Sequence, residues 1–305
     1  MSKKILIIGM VIMLSFTVLS CTKKKEASDS NNDKVKVMVS IYPLKEFTEA
    51  IGKDKVEVKA LVPEGSEPHD FDPKPKDLEA LNKTEIFVYN GLGMEEWIDK
   101  VLGTIENKNS VNHVDNGIVR TEVVDSSLSV NTIKTDGKLD PHIWLSLKEA
   151  KIQALNIKNA LVKVDAKNKD FYEGNYKEFT KSIDEVIEKN TSRFNNLNNK
   201  DFVTSHAAFG YLCRDFGLEQ KSAQDVFGEG ELTPQKLKEI VEFTKKYNIK
   251  TIFMENSDSA KVSETLAKEV GGKVQKIYTL ENKEDNKNYI EAMKNNLDNI
   301  YESLK

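Results

Sequence analysis

The same succession of short apolar strands and amphipathic helices occurs twice in this chain of 305 residues, once in each half. The first half carries apolar segments at 35–39, 56–61 and 86–88, and the second half carries them at 202–204 and 251–254. Short strands that alternate with helices predict βαβ units, because helical crossovers join parallel neighbours. The repeat therefore predicts an α/β fold of two α/β lobes with mostly parallel sheets.

A long helix is predicted between the two lobes. From about residue 168 to residue 197 there is no proline, and apolar side chains recur at steps of three and four. These side chains are Tyr172, Tyr176, Phe179, Ile183, Val186, Phe194 and Leu197. About 30 helical residues form a stiff rod of roughly 45 Å. We therefore predict an N-terminal lobe over 35–164, a rigid connecting helix over 165–197 and a C-terminal lobe over 198–305.

The first residues of the chain have the pattern of an export signal. Two lysines precede an uncharged run from Ile5 to Ser20, which matches the charged and apolar regions of a signal peptide. A helix of about 16 residues reaches only about 24 Å, which is shorter than the roughly 30 Å hydrocarbon core of a membrane. We therefore predict a signal peptide over 1–20 rather than a permanent membrane span.

The end of this run resembles the lipobox of bacterial lipoproteins. It reads Val18-Leu-Ser-Cys21, and the resemblance implies that Cys21 becomes the lipidated first residue of the mature chain. The alternative is an ordinary cleaved signal with an incidental cysteine. Residues 22–34 have no large apolar side chain, so that they cannot order themselves by burial. We predict that 21–34 is a lipidated, disordered tether to the membrane.

Charge and cysteine content exclude two classes of protein. The 45 basic and 49 acidic residues give a net charge of −4, whereas a nucleic-acid-binding surface normally needs a clustered basic excess. We therefore expect no nucleic-acid partner. The two cysteines are too few for a disulfide framework.

Three of the four histidines occupy comparable positions. His69 and His206 follow predicted strands, and each of the three, including His142, precedes a predicted helix. In open α/β sheets such turns bind ligands, and neutral imidazoles are common zinc ligands. Their wide separation in sequence carries no local metal motif. From the residues alone, two interpretations are therefore open: a metal site, or loop histidines that only form hydrogen bonds.

Three segments around these histidines resemble the motifs of the zinc/manganese solute-binding lipoproteins of bacterial ABC importers, the metal-binding cluster A-I family. The segments are Glu67-Pro-His69-Asp-Phe71-Asp-Pro, Asp140-Pro-His142-Ile-Trp144-Leu and Ser205-His206-Ala-Ala-Phe209-Gly-Tyr211-Leu. With the lipobox and the connecting helix, the resemblance covers essentially the whole mature chain. It implies one transition-metal ion in the cleft between two lobes that a long helix bridges.

The resemblance also implies the ligands, residue by residue. His69 and His142 would come from the first lobe and His206 from the second. Zinc-type relatives place a carboxylate after the penultimate strand in a Pro-Leu-Glu segment, which corresponds to Glu281 here, although Thr279 replaces the proline. Glu67 and a water molecule are the alternatives for the fourth ligand.

The donor set favours zinc. Relatives of the manganese type carry a carboxylate where His206 stands, and nitrogen-rich sites suit zinc whereas manganese prefers oxygen. Manganese or iron is the alternative cargo. Many zinc-uptake relatives also have a histidine-rich loop, but residues 120–138 contain no histidine.

The function implied is transport rather than catalysis. We expect the extracytoplasmic component of an ABC importer, a monomer that its lipid holds at the outer face of the cell membrane and that delivers Zn²⁺ to a membrane permease. A closed shell of four protein ligands leaves no vacant position for an activated water molecule, so we expect no enzyme activity. The alternative is an anchored zinc hydrolase with an open site and Glu67 or Glu281 as general base.

Overall fold

The computed structural model describes residues 34–106, 118–120, 131–135, 137–229, 232–255, 260–283 and 285–305. Lys34–Lys305 forms one compact unit. The predicted signal peptide, Cys21 and nearly all of the predicted tether lie outside the described residues. Within the described ranges, none of the helices has the length and apolar character needed to span a bilayer.

The first half of the chain forms a parallel sheet with helices between its strands. Its elements are β1 (Val35–Val39), α1 (Tyr42–Gly52), a 3₁₀ turn (Lys53–Lys55), β2 (Val56–Ala60), α2 (Pro75–Leu81), β3 (Ile86–Tyr89), α3 (Ile98–Glu106) and β4 (Ile118–Arg120). The strand order is β2-β1-β3-β4. All three pairings are parallel, with Val37 opposite Val58 on one side and Ile86 on the other. Every residue of β3 is buried, as expected of a strand covered on both faces.

Short elements and two long helices join the halves. They are the antiparallel hairpin β5 (Lys134–Thr135) and β6 (Lys138–Leu139), a 3₁₀ turn (Ile143–Leu145), α4 (Leu147–Val164), a 3₁₀ turn (Ala166–Asn168) and α5 (Lys169–Asn195). The oxygen of Ser146 caps α4 by accepting the backbone N–H of Glu149 at 3.0 Å. The Glu149 side chain does not complete a capping box, because it accepts a hydrogen bond from Arg214 instead.

The second half repeats the architecture of the first. Its elements are β7 (Asp201–Thr204), α6 (Gly210–Phe216), β8 (Glu219–Ser222), α7 (Pro234–Lys246), β9 (Thr251–Met254), α8 (Ala260–Val270), β10 (Lys273–Lys276) and α9 (Tyr289–Leu304). The sheet order is β10-β9-β7-β8, and all three pairings are parallel. Pro75 and Pro234 open α2 and α7, where a missing N–H costs little. The prediction of an α/β fold with mostly parallel sheets is confirmed.

One hydrophobic core runs through both halves. It contains Val37 of β1, Phe47 of α1, Ile183 of α5, Phe202 of β7 and Leu297 of α9, each with 1% or less of its surface exposed. The predicted connecting helix is a single helix of 27 residues, α5, with an apolar stripe that packs into this core. The limits of the two lobes stay a prediction, since the core is shared.

Candidate metal centre

Four loops bring the four predicted ligands to one place. His69 lies in the connection from β2 to α2, His142 precedes the 3₁₀ turn before α4, His206 follows β7, and Glu281 lies between β10 and α9. His142 is fully buried, Glu281 is 6% exposed and the His206 side chain is 12% exposed. The cluster therefore combines residues from both halves and is shielded from water. The fourth histidine, His113, lies outside the described residues.

The distances between ligand atoms suit a single ion. One ligand atom each from His69, His142 and Glu281 lie within 4.8 Å of one another. His142 Nε2 lies 3.4 Å from Glu281 Oε1 and 3.3 Å from His206 Nε2. In a tetrahedron with zinc–nitrogen bonds of 2.0–2.1 Å, two ligand atoms are about 3.3 Å apart. His206 is joined to the cluster through His142 and does not belong to the tighter group of three.

Several atoms of the cluster are buried without a hydrogen-bond partner among the described residues. They are both ring nitrogens of His69 and Oε1 of Glu281. Leaving a buried polar atom unpaired is unfavourable, so such atoms call for an explanation. A cation between His69 and Glu281 would supply a partner for one ring nitrogen and for the carboxylate oxygen.

Asp140 orients His142. Its Oδ1 lies 2.9 Å from Nδ1 of the ring and also accepts the backbone N–H of His142 at 2.9 Å. A carboxylate at Nδ1 favours the proton there and leaves Nε2, which faces His206 and Glu281, as the nitrogen that could bind a metal ion. The motif alone does not reveal this role of Asp140, although Asp140 stands two residues before His142 in it.

The three histidines differ in their affinity for protons. Burial lowers the pKa of His69 to about 4 and that of His206 to about 3, and the charge of His142 adds to both shifts. Burial also acts to lower the pKa of His142, but the hydrogen bond with Asp140 and the negative charges of Asp140 and Glu281 outweigh it and raise the pKa to about 9. The metal-free cluster at neutral pH therefore holds one proton on His142, opposite a Glu281 carboxylate whose pKa the histidines lower.

Glu255 holds the backbone at His206. This carboxylate follows β9, is 2% exposed, and accepts the backbone N–H of Ser205 at 3.0 Å and that of His206 at 3.2 Å. It also accepts the hydroxyl of Ser205. Burial raises the pKa of Glu255 to about 7. Its position directly after a buried apolar strand was the only sequence signal that could have identified it.

Glu67, the alternative fourth ligand, lies at the edge of the cluster. Its Oε1 is 3.5 Å from the backbone nitrogen of His69. It lines a cavity of about 270 Å³ that also touches His69, His206 and Glu255. Burial and the charge of Glu281 raise the pKa of Glu67 to about 7. Glu281 therefore lies among the candidate ligand atoms, whereas Glu67 lines the adjoining cavity.

Aromatic rings cover the cluster. Trp144 contacts the ring of His142 at a centroid distance of 5.2 Å. Phe71, from the first histidine motif, contacts Trp97. Phe227, which no sequence pattern connects with the histidines, meets the ring of His69 edge to face at a centroid distance of 5.2 Å.

Comparison with known proteins agrees with this geometry. Residues 37–303 match the family model "Zinc-uptake complex component A periplasmic", ZnuA. The chain is 34% identical to the "High-affinity zinc uptake system protein ZnuA" of Bacillus subtilis, over 92% of this chain and 91% of that protein. It is 30% identical to the "Manganese ABC transporter substrate-binding lipoprotein PsaA" of Streptococcus pneumoniae, over 100% of this chain and 99% of that one.

Solved structures are similar over most of their length. The laminin-binding protein Lmb of Streptococcus agalactiae, described as "a bifunctional protein with adhesin and metal transporting activity", superposes with a TM-score of 0.79 at 32% identity. The match covers 89% of this chain and 100% of that structure. From the family model and these identities, we conclude that the chain belongs to the ZnuA family of zinc-uptake complex components.

Proposed function

We propose that this protein is the metal-binding component of an ABC importer, which captures one Zn²⁺ ion with His69, His142, His206 and Glu281 and delivers it to a membrane permease. One observation carries the proposal. Ligand atoms from four distant loops converge within a few ångströms, and His69 and Glu281 contribute buried atoms that have no partner among the described residues. Membership of the ZnuA family supports import as the purpose of this binding.

Zinc fits the donor set better than manganese does. Three imidazole nitrogens and one carboxylate form a nitrogen-rich site, whereas manganese favours oxygen ligands. The 3.3 Å and 3.4 Å separations around His142 Nε2 match the edges of a zinc tetrahedron. Manganese is the second candidate, because the relatives include a manganese-transporter lipoprotein.

The number of protein ligands is the reason that we propose metal binding without catalysis. Three neutral imidazoles and one carboxylate around Zn²⁺ give a site with a net charge of about +1 and a closed tetrahedral shell. Hydrolysis needs a vacant position for an activated water molecule, and four protein ligands fill the shell. We therefore propose binding and release as the whole activity.

The proposed location is the outer face of the cell membrane. Lipid on Cys21 would hold the chain there, with 22–34 as the tether, and the folded unit that begins at Lys34 would meet the permease as a monomer. A single lipid chain binds a membrane only weakly, so we expect the cysteine to carry more than one acyl chain.

The direct test is a metal titration of residues 22–305, prepared without metal. We expect about one tightly bound Zn²⁺ per chain and much weaker Mn²⁺ in competition. His206→Ala should weaken zinc binding by at least about tenfold, since one ligand of four is lost. His113→Ala is the matched control and should bind like the parent protein. Unchanged zinc affinity in His206→Ala would refute the ligand assignment, and tighter manganese binding would favour the second candidate.

A further inference from the structure

We propose that Asn282 is a positioning residue, which ties the loop that presents His69 to the loop that presents Glu281 and thereby slows the release of the ion. The inference rests on the proposed function, because it takes both residues as ligands. Asn282 follows Glu281 directly, and its side-chain amide bonds to the backbone of the loop that presents His69.

The side-chain amide of Asn282 joins two distant parts of the chain. Its Oδ1 accepts the backbone N–H of Gly65 at 2.7 Å, and its Nδ2 donates to the carbonyl of Ser66 at 3.4 Å. These partners lie 217 and 216 residues away in sequence. Gly65 has a φ of +80°, a conformation that glycine adopts without strain and that turns its N–H towards the amide.

The loop that presents His69 has few other anchors. Within it, Ser66 N–H bonds to the carbonyl of Pro63 at 3.1 Å, and Phe71 N–H bonds to that of Pro68 at 3.4 Å. Both bonds are local. In the described part of the chain, the amide of Asn282 makes the only hydrogen bonds that connect 63–71 with a distant segment. Apart from this side chain, His69 is held by ring contacts with His142 and Phe227 and by the packing of Phe71 against the core.

The loop on the other side is fixed independently. The indole N–H of Trp144 donates to the carbonyl of Thr279 at 2.7 Å, and the Thr279 hydroxyl donates to Glu281 Oε2 at 3.0 Å. Leu280 between them is 3% exposed. Asn282 thus connects a weakly anchored loop to a firmly anchored one. It follows that His69 is the first ligand to leave when the ion is released.

The test is the rate of zinc dissociation into an excess of chelator, measured by stopped flow. Asn282→Ala should dissociate zinc about threefold to tenfold faster than the parent, which corresponds to the loss of about one net hydrogen bond. In a His69→Ala background the same substitution should change the rate by less than about twofold, because the ligand that Asn282 positions is gone. The matched control is Asn195→Ala, an asparagine exposed at the end of α5.

Two results would overturn the inference. One is a dissociation rate for Asn282→Ala within about twofold of the parent, and the other is the same acceleration in both backgrounds. If Asn282→Ala does not fold, Asn282→Gln moves the amide by one methylene and carries the same expectations. If the parent protein does not bind zinc, the proposed function itself is refuted. If the parent binds zinc but substitution of Asn282 leaves the dissociation rate unchanged, only the positioning role is refuted.

Discussion

Zinc binding should release close to one proton per ion at pH 7.5. The raised pKa of His142, about 9, means that its ring is protonated on both nitrogens in the metal-free protein. Zinc can bind Nε2 only after that proton has left. At pH 7.5 a group with a pKa of 9 is more than about 0.9 protonated, whereas an ordinary histidine with a pKa near 6.5 is only about 0.1 protonated.

The sign of the pH dependence follows directly. Since protons compete with zinc for His142 below its pKa, zinc affinity should rise by about tenfold for each pH unit between roughly pH 7.5 and pH 8.5, above the pKa values of about 7 of Glu67 and Glu255. His69 and His206 contribute little in this range, because burial lowers the pKa of both rings far below it. An unperturbed His142 would instead give an affinity that is nearly constant above about pH 7.5.

Isothermal titration calorimetry in buffers of different ionisation enthalpy counts the protons released. Asp140→Asn is the informative variant, because its side-chain oxygen can still accept from Nδ1 at the 2.9 Å position while the negative charge is gone. It should release clearly less than one proton at pH 7.5, since part of what raises the pKa of His142 is removed. A parent value below about 0.3 protons, or an equal value for parent and variant, would refute this account.

Three further outcomes are expected. Gly210→Ala would place a methyl carbon 2.6 Å from Ile133 Cδ1 and 2.8 Å from Asp140 Oδ2. It should therefore lower the free energy of unfolding, measured by urea denaturation, by about 1–3 kcal/mol and weaken zinc binding. An unchanged free energy of unfolding would show that Ile133 and Asp140 can move aside. Ser146→Ala removes the cap of α4 and should cost about 1 kcal/mol in the same measurement without changing the stoichiometry of zinc. Cys21→Ala should move the protein from the membrane fraction to the medium or periplasm of an expressing bacterium, and unchanged fractionation would argue against the lipid anchor.

The fold could be predicted because its signals are local. Apolar segments such as 35–39 and 251–254 became neighbouring strands of parallel sheets, and the periodic stretch from about 168 became α5. Strand order could not be read in the same way. In both sheets the first strand of the half lies inside the sheet, next to strands that come later in the chain, and no local pattern encodes that placement.

The site was predictable only in part, and for a related reason. Motifs around His69, His142 and His206 stand out in the sequence, because each histidine carries recognisable neighbours. The supporting residues do not. Asn282 acts through a contact 217 residues away, and Phe227 meets His69 only because two loops converge in space. Such partners can be identified only when the folded structure shows which loops lie next to each other.

The internal repeat extends to the hydrogen bonds that hold two of the proposed ligands, His142 and His206. Ser40 follows β1 and donates to the buried Glu95 at 2.5 Å, just as Ser205 follows β7 and donates to the buried Glu255. Glu255 holds the backbone of His206.

In the first half, the buried carboxylate of Glu95 reaches the loop of His142 through one additional residue, Asn90. Glu95 accepts the backbone N–H of Asn90 at 2.8 Å, and the Asn90 amide donates at 2.8 Å to the carbonyl of Pro141, next to His142. Each half thus uses a buried carboxylate to fix the loop of one imidazole. Because these bonds and the shared core join protein groups to one another, we expect the fold itself to preassemble the site, and removing zinc should leave the protein folded, in contrast to a zinc finger.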